Sequence, residues 1–445
     1  MVLILNQRQK GYVSFMEKSC KYRRMGMRLN WRNFLGILPF AFLLFRFYIG
    51  GISKILQLGT VLVFIGLYFL RNISRFRNRL KIFIKGLLLF FLFFVMSILY
   101  PAFLGTGDFT YARLLAPYFI DLGSWSVFVL HCNKQCNMNK TILNILAEEF
   151  CRVVTLYIMF TVLCMIIPPL RAFVISHSSL DDAILMDLRY EKYLARVSWD
   201  GFAGFKATFM CSLGVFLSLV SISNTKDRRL QRRSYIYLAI MLLGNTFYGR
   251  TGLVTSGGLI AIYICREIIA RGKLKALLRI IFIFIALIGI YSVLAQFNDS
   301  LQFIYNWAFE PIINYLKGNG LTTTSSSNWL TMWNRKFEIG TLLHGDGRYT
   351  LPDGHYYMRI DIGIYRMIYM WGIPMMLLYY CFCLSEYTKT VLYKINHFTF
   401  VYVFFIFILF EVKGEIVRNL CAIFIAFTLL RDDGLRLSRR RYEKS

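Results

Sequence analysis

Long apolar runs separated by short polar connectors make up most of this chain. Several of them approach the ~20 residues that an α-helix needs to cross ~30 Å of hydrocarbon. By window length we predict about twelve membrane-spanning helices. They lie at 34–49, 55–70, 86–105, 111–130, 145–167, 202–223, 235–248, 251–265, 278–297, 362–384, 398–411 and 417–430. The predicted fold class is therefore all-α, a polytopic helical membrane protein.

Two connectors are much longer than the others. They cover 168–201 and 298–361, and the second lies between the ninth and tenth predicted helices. The membrane domain spans 34–430 and is preceded by 1–33, which lacks a signal-peptide cleavage pattern. A basic tail follows at 431–445. Because the predicted number of helices is even, both termini are expected on the same side.

The distribution of charge sets the orientation of these elements. The formal net charge is +28, and its basic clusters fall in short connectors and the tail, at 71–79, 226–233, 271–275 and 439–441. This positive-inside pattern favours anionic membrane lipids as partners and argues against nucleic acid. The loop 298–361 instead holds five basic and six acidic residues. We therefore expect cytoplasmic termini and external long loops.

The composition and the missing motifs limit the kinds of reaction that the protein could catalyse. The chain is 57% hydrophobic, which a soluble protein could not bury. No phosphate-binding glycine loop, dinucleotide fingerprint or zinc-protease motif is present. Cys132 and Cys136 lie beside His131, but they lack a second ligand pair and indicate an ordinary connector rather than zinc. We predict neither a cofactor nor a metal. None of the ten cysteines lies in the two long external loops, so disulfides there are not expected.

The first external loop contains a helix signal. Ser179 and Asp182 form a capping pattern, and Ile184, Leu185 and Leu188 recur at helical spacing. A short amphipathic helix at the outer surface is predicted. It either covers the bundle or contacts substrate, and the sequence leaves both readings open.

The densest set of reactive side chains lies in the second external loop, at 344–361. His355 is the best candidate for a general base because the unperturbed histidine pKa suits proton removal at neutral pH. His344 is a second option. Asp346 and Asp353 each precede a glycine, so they are first of all turn residues.

Arginines provide candidate anion contacts. Arg250 lies between glycines at a break between two apolar runs, where it either binds an anion or extends to the headgroups. Arg359 and Arg366 are seven residues apart, so both would lie on one face if a helix already begins there. Asp361 would then pair with Arg250 or Arg418, or form an ordinary structural ion pair.

Aromatic side chains accompany the charges in the second loop. They include Trp307, Trp329, Trp333, Tyr349, Tyr356 and Tyr357. Such residues either form the interfacial belt of a membrane protein or provide stacking faces for sugar rings. Since nucleotide motifs are missing, an external substrate must bring its own leaving group, as a membrane-anchored sugar diphosphate does.

Three short motifs resemble the bacterial O-antigen and capsule polymerases. They are Gly-Arg-Thr-Gly at 249–252, Leu-Leu-His-Gly-Asp-Gly at 342–347, and Asp-Ile-Gly-Ile-Tyr-Arg at 361–366 followed by Trp-Gly-Ile-Pro at 371–374. The O-antigen ligases share this general plan. The resemblance implies polymerisation of undecaprenyl-diphosphate-linked oligosaccharide repeats on the outer face of the inner membrane.

The hypothesis from sequence is thus a glycosyltransferase that uses neither nucleotide nor metal. Its predicted catalytic residues are His355, Arg250 and Arg359, and its predicted substrate-binding residues are Arg366, Arg348, Asp361, His344 and Tyr356. The alternatives are an O-antigen ligase, which transfers glycan to lipid A-core, and a flippase or transporter of lipid-linked oligosaccharides. A chain-length regulator and a flippase are candidate partners.

Overall fold

A computed structural model describes most of the chain. The described residues are 36–46, 54–72, 77–136, 141–177, 194–225, 227–271, most of 278–318, 320, 323 and 330–430. The chain divides into Met1–Pro39 and Phe40–Ser445, and of the first unit only residues 36–39 are described. The predicted terminal segments 1–33 and 431–445 and the predicted helix at 178–188 lie outside the described residues.

The described residues are almost entirely helical. The helices are α1 (Leu38–Phe45), α2 (Lys54–Asn72), α3 (Arg77–Phe103), α4 (Thr110–Leu115), α5 (Pro117–Gln135), α6 (Ile142–Ile166), α7 (Pro168–His177), α8 (Phe205–Asn224), α9 (Arg228–Tyr248), α10 (Arg250–Arg271), α11 (Asp299–Ala308), α12 (Glu310–Leu316), α13 (Ile339–His344), α14 (Gly363–Thr388), α15 (Val391–Ile395), α16 (Thr399–Lys413) and α17 (Val417–Phe427).

This architecture confirms the predicted all-α class. Each of the predicted apolar runs contains helical residues. Within the described part of the chain, five helical segments are long and apolar enough to cross a membrane: Arg79–Phe103, Thr110–Gln135, Ile142–Ile166, Phe205–Asn224 and Gly363–Thr388. Leu56–Asn72 and Val417–Phe427 are apolar but shorter. The chain is therefore a helical membrane protein, and the number of twelve spans stays a prediction.

Helix α8 forms the centre of the bundle and α3 lies at its edge. In the most apolar window of α8, 89% of the residues are buried, against 28% in that of α3. Helix α8 packs against α6, α9, α10 and α16, while α14 packs against α3, α16 and α17. The exposed leucines and phenylalanines of α3 are what a helix facing lipid requires, because hydrocarbon solvates them.

The described residues include one two-stranded β-hairpin. Strands β1 (Val197–Ser198) and β2 (Gly201–Phe202) pair antiparallel directly before α8. Trp199, at the tip of the hairpin, is buried. Its indole packs against the rings of Phe45, Tyr157 and Phe160, so the hairpin fastens the segment before α8 to the bundle.

Three interruptions of helices position the polar residues. Helices α9 and α10 meet at Gly249, and α16 and α17 are separated by residues 414–416. Helix α14 is bent at Gly372, where φ is +72° and Pro374 follows two residues later. At each break, near one end of the bundle, backbone N–H and C=O groups lack helical hydrogen-bond partners, and polar side chains lie close to them.

Candidate functional site

The candidate site is built where the start of α14 crosses the break between α16 and α17. A side chain at Gly363 would collide with the carbonyl oxygen of Gly414 and would lie 2.7 Å from Oε2 of Glu411. Glycine is therefore required at 363 by a close approach of two backbones. This crossing brings the loop before α14 beside the residues that begin α17.

A buried carboxylate joins these segments. Glu415 accepts hydrogen bonds from the hydroxyls of Tyr111 (2.9 Å) and Tyr349 (2.5 Å). Nε of Arg418 lies 2.8 Å from its Oε1. Glu415 thus ties α4, the long loop and α17 together, and burial together with the Glu415 charge raises the pKa of the Tyr349 hydroxyl.

Two buried arginines flank Glu415. Arg366 is 4% exposed and Arg418 is 8% exposed. The Arg366 guanidinium lies 4.1 Å from the centre of the Tyr356 ring and 5.4 Å from that of Tyr349. Nε of Arg366 and Nη1 of Arg418 are buried and have no hydrogen-bond acceptor among the described residues. We call Arg366, Arg418, Glu415, Tyr111 and Tyr349 the arginine–tyrosine site.

Arg418 has the same kind of aromatic surroundings as Arg366. Its guanidinium lies 5.4 Å from the centre of the Tyr111 ring and 5.2 Å from that of Tyr118. Ring faces attract cations, but they do not accept the guanidinium hydrogens as a carboxylate or phosphate does. Glu415 pairs with Arg418, whereas Arg366 pairs with no carboxylate among the described residues, so both arginines keep unused donors.

Asp108 holds the long loop against this site. Its Oδ2 accepts hydrogen bonds from the backbone N–H groups of Tyr349 (2.6 Å) and Thr350 (2.7 Å). Its Oδ1 accepts another from the N–H of Thr110. Burial alone would raise the pKa of Asp108, but these donors outweigh it and hold the pKa below its ordinary value. Sequence reasoning missed this residue because nothing in the loop before α4 marks it.

The His-Gly-Asp-Gly motif docks on the bend of α14. A side chain at Gly345, where φ is +68°, would meet the backbone nitrogen of Gly372 at 2.6 Å. The N–H of Asp346 donates to the carbonyl of Tyr369 (2.6 Å), and the carboxylate of Asp346 accepts from the Thr341 hydroxyl (2.7 Å). The motif therefore positions the loop.

The histidines of this loop lie apart from the arginines. The carbonyl of His344 accepts a hydrogen bond from the Tyr100 hydroxyl, and its exposed ring hydrogen-bonds Gly345. His355 is exposed, and its backbone N–H donates to Asp353 (3.0 Å). Among the described residues, nothing forms a hydrogen bond with the His355 ring. The general-base role predicted for it stays a prediction without structural support.

A small hairpin carries the remaining loop candidates. Thr350 and Tyr356 face each other across it, and Tyr356 is exposed while its ring covers Arg366. Arg348 is exposed and lies 5.9 Å from the centre of the Tyr357 ring. The hairpin thus brings Tyr356 to the arginine–tyrosine site and leaves Arg348 at the surface.

The expected alignment of Arg359 with Arg366 is wrong. Arg359 is exposed and has a φ of +53°, in a short 3₁₀ turn before α14 begins at Gly363. Two left-handed residues in succession, Met358 and Arg359, end any continuous helical face. Asp361 does lie within electrostatic range of Arg366.

The expected pairing of Asp361 with Arg250 or Arg418 is also wrong. Nη1 of Arg250 lies 2.5 Å from Oε2 of Glu310, and its guanidinium lies 4.9 Å from the Trp307 ring centre. The glycines around Arg250 pack against neighbouring side chains, Gly249 against Thr208 and Gly252 against Asn245. A side chain at Gly249 would lie 2.7 Å from the Thr208 hydroxyl, so this glycine allows α8 and α9 to pack closely.

A second ionic group lies near the hairpin that precedes α8. The Asp121 carboxylate pairs with Arg46 (2.7 Å) and with Lys206 (3.4 Å). Asp200 accepts a hydrogen bond from Tyr157 (2.6 Å). Burial raises the pKa of Asp200 to about 7, although Tyr157 and Lys206 act in the opposite direction. Sequence reasoning did not single out any of these residues.

The fold and the site together define a helical membrane protein with a cationic, tyrosine-lined site at one end of its bundle. Among the described residues, no group of three or more His, Cys, Asp or Glu side chains is placed to hold a metal ion. No family model, no curated protein and no solved structure matches the chain.

Proposed function

We propose that this protein is a glycosyltransferase that polymerises undecaprenyl-diphosphate-linked oligosaccharide repeats on the outer face of the bacterial inner membrane. The observation that carries the proposal is the pair Arg366 and Arg418. Both are buried, Arg418 pairs with Glu415, and each has a guanidinium nitrogen without an acceptor among the described residues.

The chemistry of a diphosphate fits this pair. A buried donor without an acceptor costs about 1–3 kcal/mol, so a ligand that satisfies it is favoured by a similar amount. A diphosphate carries several anionic oxygens that accept charge-assisted hydrogen bonds from such donors. The hydroxyls of a neutral sugar carry no charge to match the two guanidinium groups. The site therefore suits the leaving group of a lipid-linked sugar better than the sugar.

The position of the site supports an external active site. Gly414 lies against Phe205 at the start of α8, and the basic connector at 226–233 begins just beyond its last residue, Asn224. A helix of this length separates its ends by about 30 Å, at 1.5 Å per residue. The arginine–tyrosine site thus lies at the end of the bundle opposite a basic cluster, and the positive-inside rule assigns that end to the outer face.

The proposed division of labour follows from these contacts. Arg366 and Arg418 bind the diphosphate of the lipid-linked donor. Glu415 orients Arg418, and the rings of Tyr349 and Tyr356 orient Arg366. The exposed ring of Tyr356, already stacked on Arg366, provides a face for a sugar ring. Undecaprenyl-diphosphate-linked oligosaccharide is the substrate. Membrane lipids, a flippase and a chain-length regulator are the proposed partners.

A deletion strain of the source bacterium tests the proposal. Loss of a polymerase leaves single repeats on the acceptor and removes the ladder of longer chains. Wild-type protein should restore the ladder, and Arg366→Gln at equal protein level should not. Lys317→Gln, an exposed cation in the same loop, is the matched control and should restore it.

Other outcomes of the same experiment point elsewhere. Accumulation of finished lipid-linked polymer would overturn the proposal in favour of a ligase. Accumulation of single lipid-linked units on the inner face would overturn it in favour of a flippase. A full ladder with Arg366→Gln would show that the buried arginine pair does not carry the activity.

A further inference from the structure

Asp361 occupies an unusual position beside the arginine–tyrosine site. It lies in the extended segment before α14, between the buried Ile360 and Ile362. Its backbone N–H points at the sulfur of Met332 (3.5 Å). Its carboxylate is partly buried, and no described residue donates a hydrogen bond to it. The backbone therefore holds Asp361 in place, and its carboxylate oxygens are available to accept a proton or a hydrogen bond.

The crossing of Gly363 and Gly414 determines the charges that face Asp361. These are Arg366 from α14 and Lys413 from α16. Both favour the ionised carboxylate, but burial outweighs them, and the pKa of Asp361 is raised above its ordinary value. Asp361 thus binds a proton more readily than an exposed aspartate and still lies next to the proposed diphosphate ligand Arg366.

The other carboxylates near the site are already engaged. Asp108 accepts two backbone N–H groups of the loop, and Glu415 accepts two tyrosine hydroxyls and faces Arg418. Asp346 accepts the Thr341 hydroxyl. Donors that stabilise the charged form make a carboxylate a weaker base. Asp361 is distinguished by its lack of such donors.

We propose that Asp361 is the general base of the transfer reaction, a role that rests on the proposed function. Its carboxylate takes the proton of the acceptor hydroxyl while that oxygen bonds to the anomeric carbon of the donor sugar. The bond between this carbon and the diphosphate oxygen breaks, and its electron pair leaves with undecaprenyl diphosphate. Arg366 and Arg418 neutralise the added negative charge, and the proton passes from Asp361 to water.

Separate measurements of undecaprenyl diphosphate binding and of turnover distinguish a general base from a residue that binds the diphosphate. The full chain in lipid nanodiscs is titrated with undecaprenyl diphosphate. It is then assayed for chain extension with the lipid-linked saccharide fraction of a strain that lacks this protein. Asp361→Asn should bind undecaprenyl diphosphate at least as tightly as wild type, because a nearby negative charge is removed. Its extension rate should fall roughly a hundredfold or more, as expected for loss of a general base.

Two further variants complete the test. Asp353→Asn, at the exposed tip of the hairpin, should extend chains at the wild-type rate. Asp361→Glu keeps a carboxylate and should recover part of the rate. The wild-type rate should fall on acidification with a midpoint above the ordinary aspartate range, and Asp361→Glu should move that midpoint.

Defined results would overturn the assignment. Extension by Asp361→Asn within threefold of wild type excludes Asp361 as the base, as does an acid limb that disappears in His355→Ala and persists in Asp361→Glu. Equal loss of binding and turnover in Asp361→Asn would assign it to substrate binding alone. If wild-type protein neither binds undecaprenyl diphosphate nor extends the saccharide, the proposed function itself fails, which is distinguishable from these results.

Discussion

Gly363 and Gly414 are in backbone contact: any side chain at 363 would collide with the carbonyl of Gly414. Two helix ends that are distant in sequence meet at this point. Asp361 lies two residues before one glycine, and Lys413 and Glu415 flank the other. The composition of the arginine–tyrosine site therefore depends on a contact between residues that have no side chains.

Gly363→Ala tests this contact. Its methyl group would need space that backbone atoms occupy, and such overpacking costs about 1–3 kcal/mol. We expect a lower midpoint of thermal unfolding in detergent. Gly257→Ala is the control, because a side chain there meets open space. It should be neutral or raise stability by up to about 1 kcal/mol. Equal shifts in both variants would contradict the packing argument.

Tyr349→Phe and Tyr379→Phe form a matched pair. The Tyr349 hydroxyl donates to Glu415, so its removal should destabilise the protein by about 1–3 kcal/mol. The Tyr379 hydroxyl is buried and has no hydrogen-bond partner among the described residues, so its removal should be neutral or stabilising. Chemical unfolding of both purified variants gives the comparison. A larger loss for Tyr379→Phe would refute the hydrogen-bond assignment.

Asp108→Asn should loosen the long loop. The carboxylate accepts two backbone N–H groups, and the amide oxygen of asparagine replaces it poorly, at a cost of about 1–3 kcal/mol. Hydrogen exchange at Tyr349 and Thr350 should become faster, whereas Asp353→Asn should leave it unchanged.

From the lowered pKa of Asp108 we also predict that the stability of the long loop in the wild-type protein depends on pH. The pKa of Asp108 is lowered in the folded protein, so its stabilisation is complete above the ordinary aspartate pKa of about 3.9. It is lost as the pH falls through the lower folded value. Protection of the two amides that persists in Asp108→Asn would contradict the argument.

From the raised pKa of Asp200 we predict that the stability of the protein changes with pH in the opposite direction. Its folded pKa of about 7 lies above the unfolded value, so the folded state binds the extra proton between the two. Its contribution therefore favours folding at acidic pH and is lost as the pH rises towards about 7. Tyr157, Lys206 and, through Lys206, Asp121 are the groups around it. In Asp200→Asn this part of the dependence should vanish from unfolding midpoints measured at several pH values. An unchanged slope would exclude Asp200 as its source.

The helices could be predicted because a long apolar run indicates a segment that lies in the lipid bilayer. Each predicted run contains helical residues in the described part of the chain, and the break at Gly249 was visible as a glycine interruption. The bend of α14 at Gly372 was not predicted. The predicted run 362–384 begins within one residue of α14. The sequence leaves an earlier start open because residues 358–362 contain no glycine or proline. Left-handed backbone at Met358 and Arg359 prevents it.

The partners of the arginines could not be read from the sequence. Arg250 lies sixty residues before its ion-pair partner Glu310, and Arg418 pairs with Glu415 rather than Asp361. Residue type identified Arg366 and Tyr356 as candidates, and the structure brings them together. The same reasoning ranked His355 highest, because a sequence cannot show that a reactive side chain points away from its neighbours.

The bend at Gly372 divides α14 into an N-terminal piece that carries Arg366 and a longer C-terminal piece. The N-terminal piece is fastened to the loop through Asp346 and Tyr369, and Gly345 fits into the bend itself. The position of Arg366 is thereby coupled to the loop more directly than to the rest of its own helix. Under the proposed function, replacing the loop would move Arg366 as well, so the choice of substrate and the affinity for its diphosphate would change together.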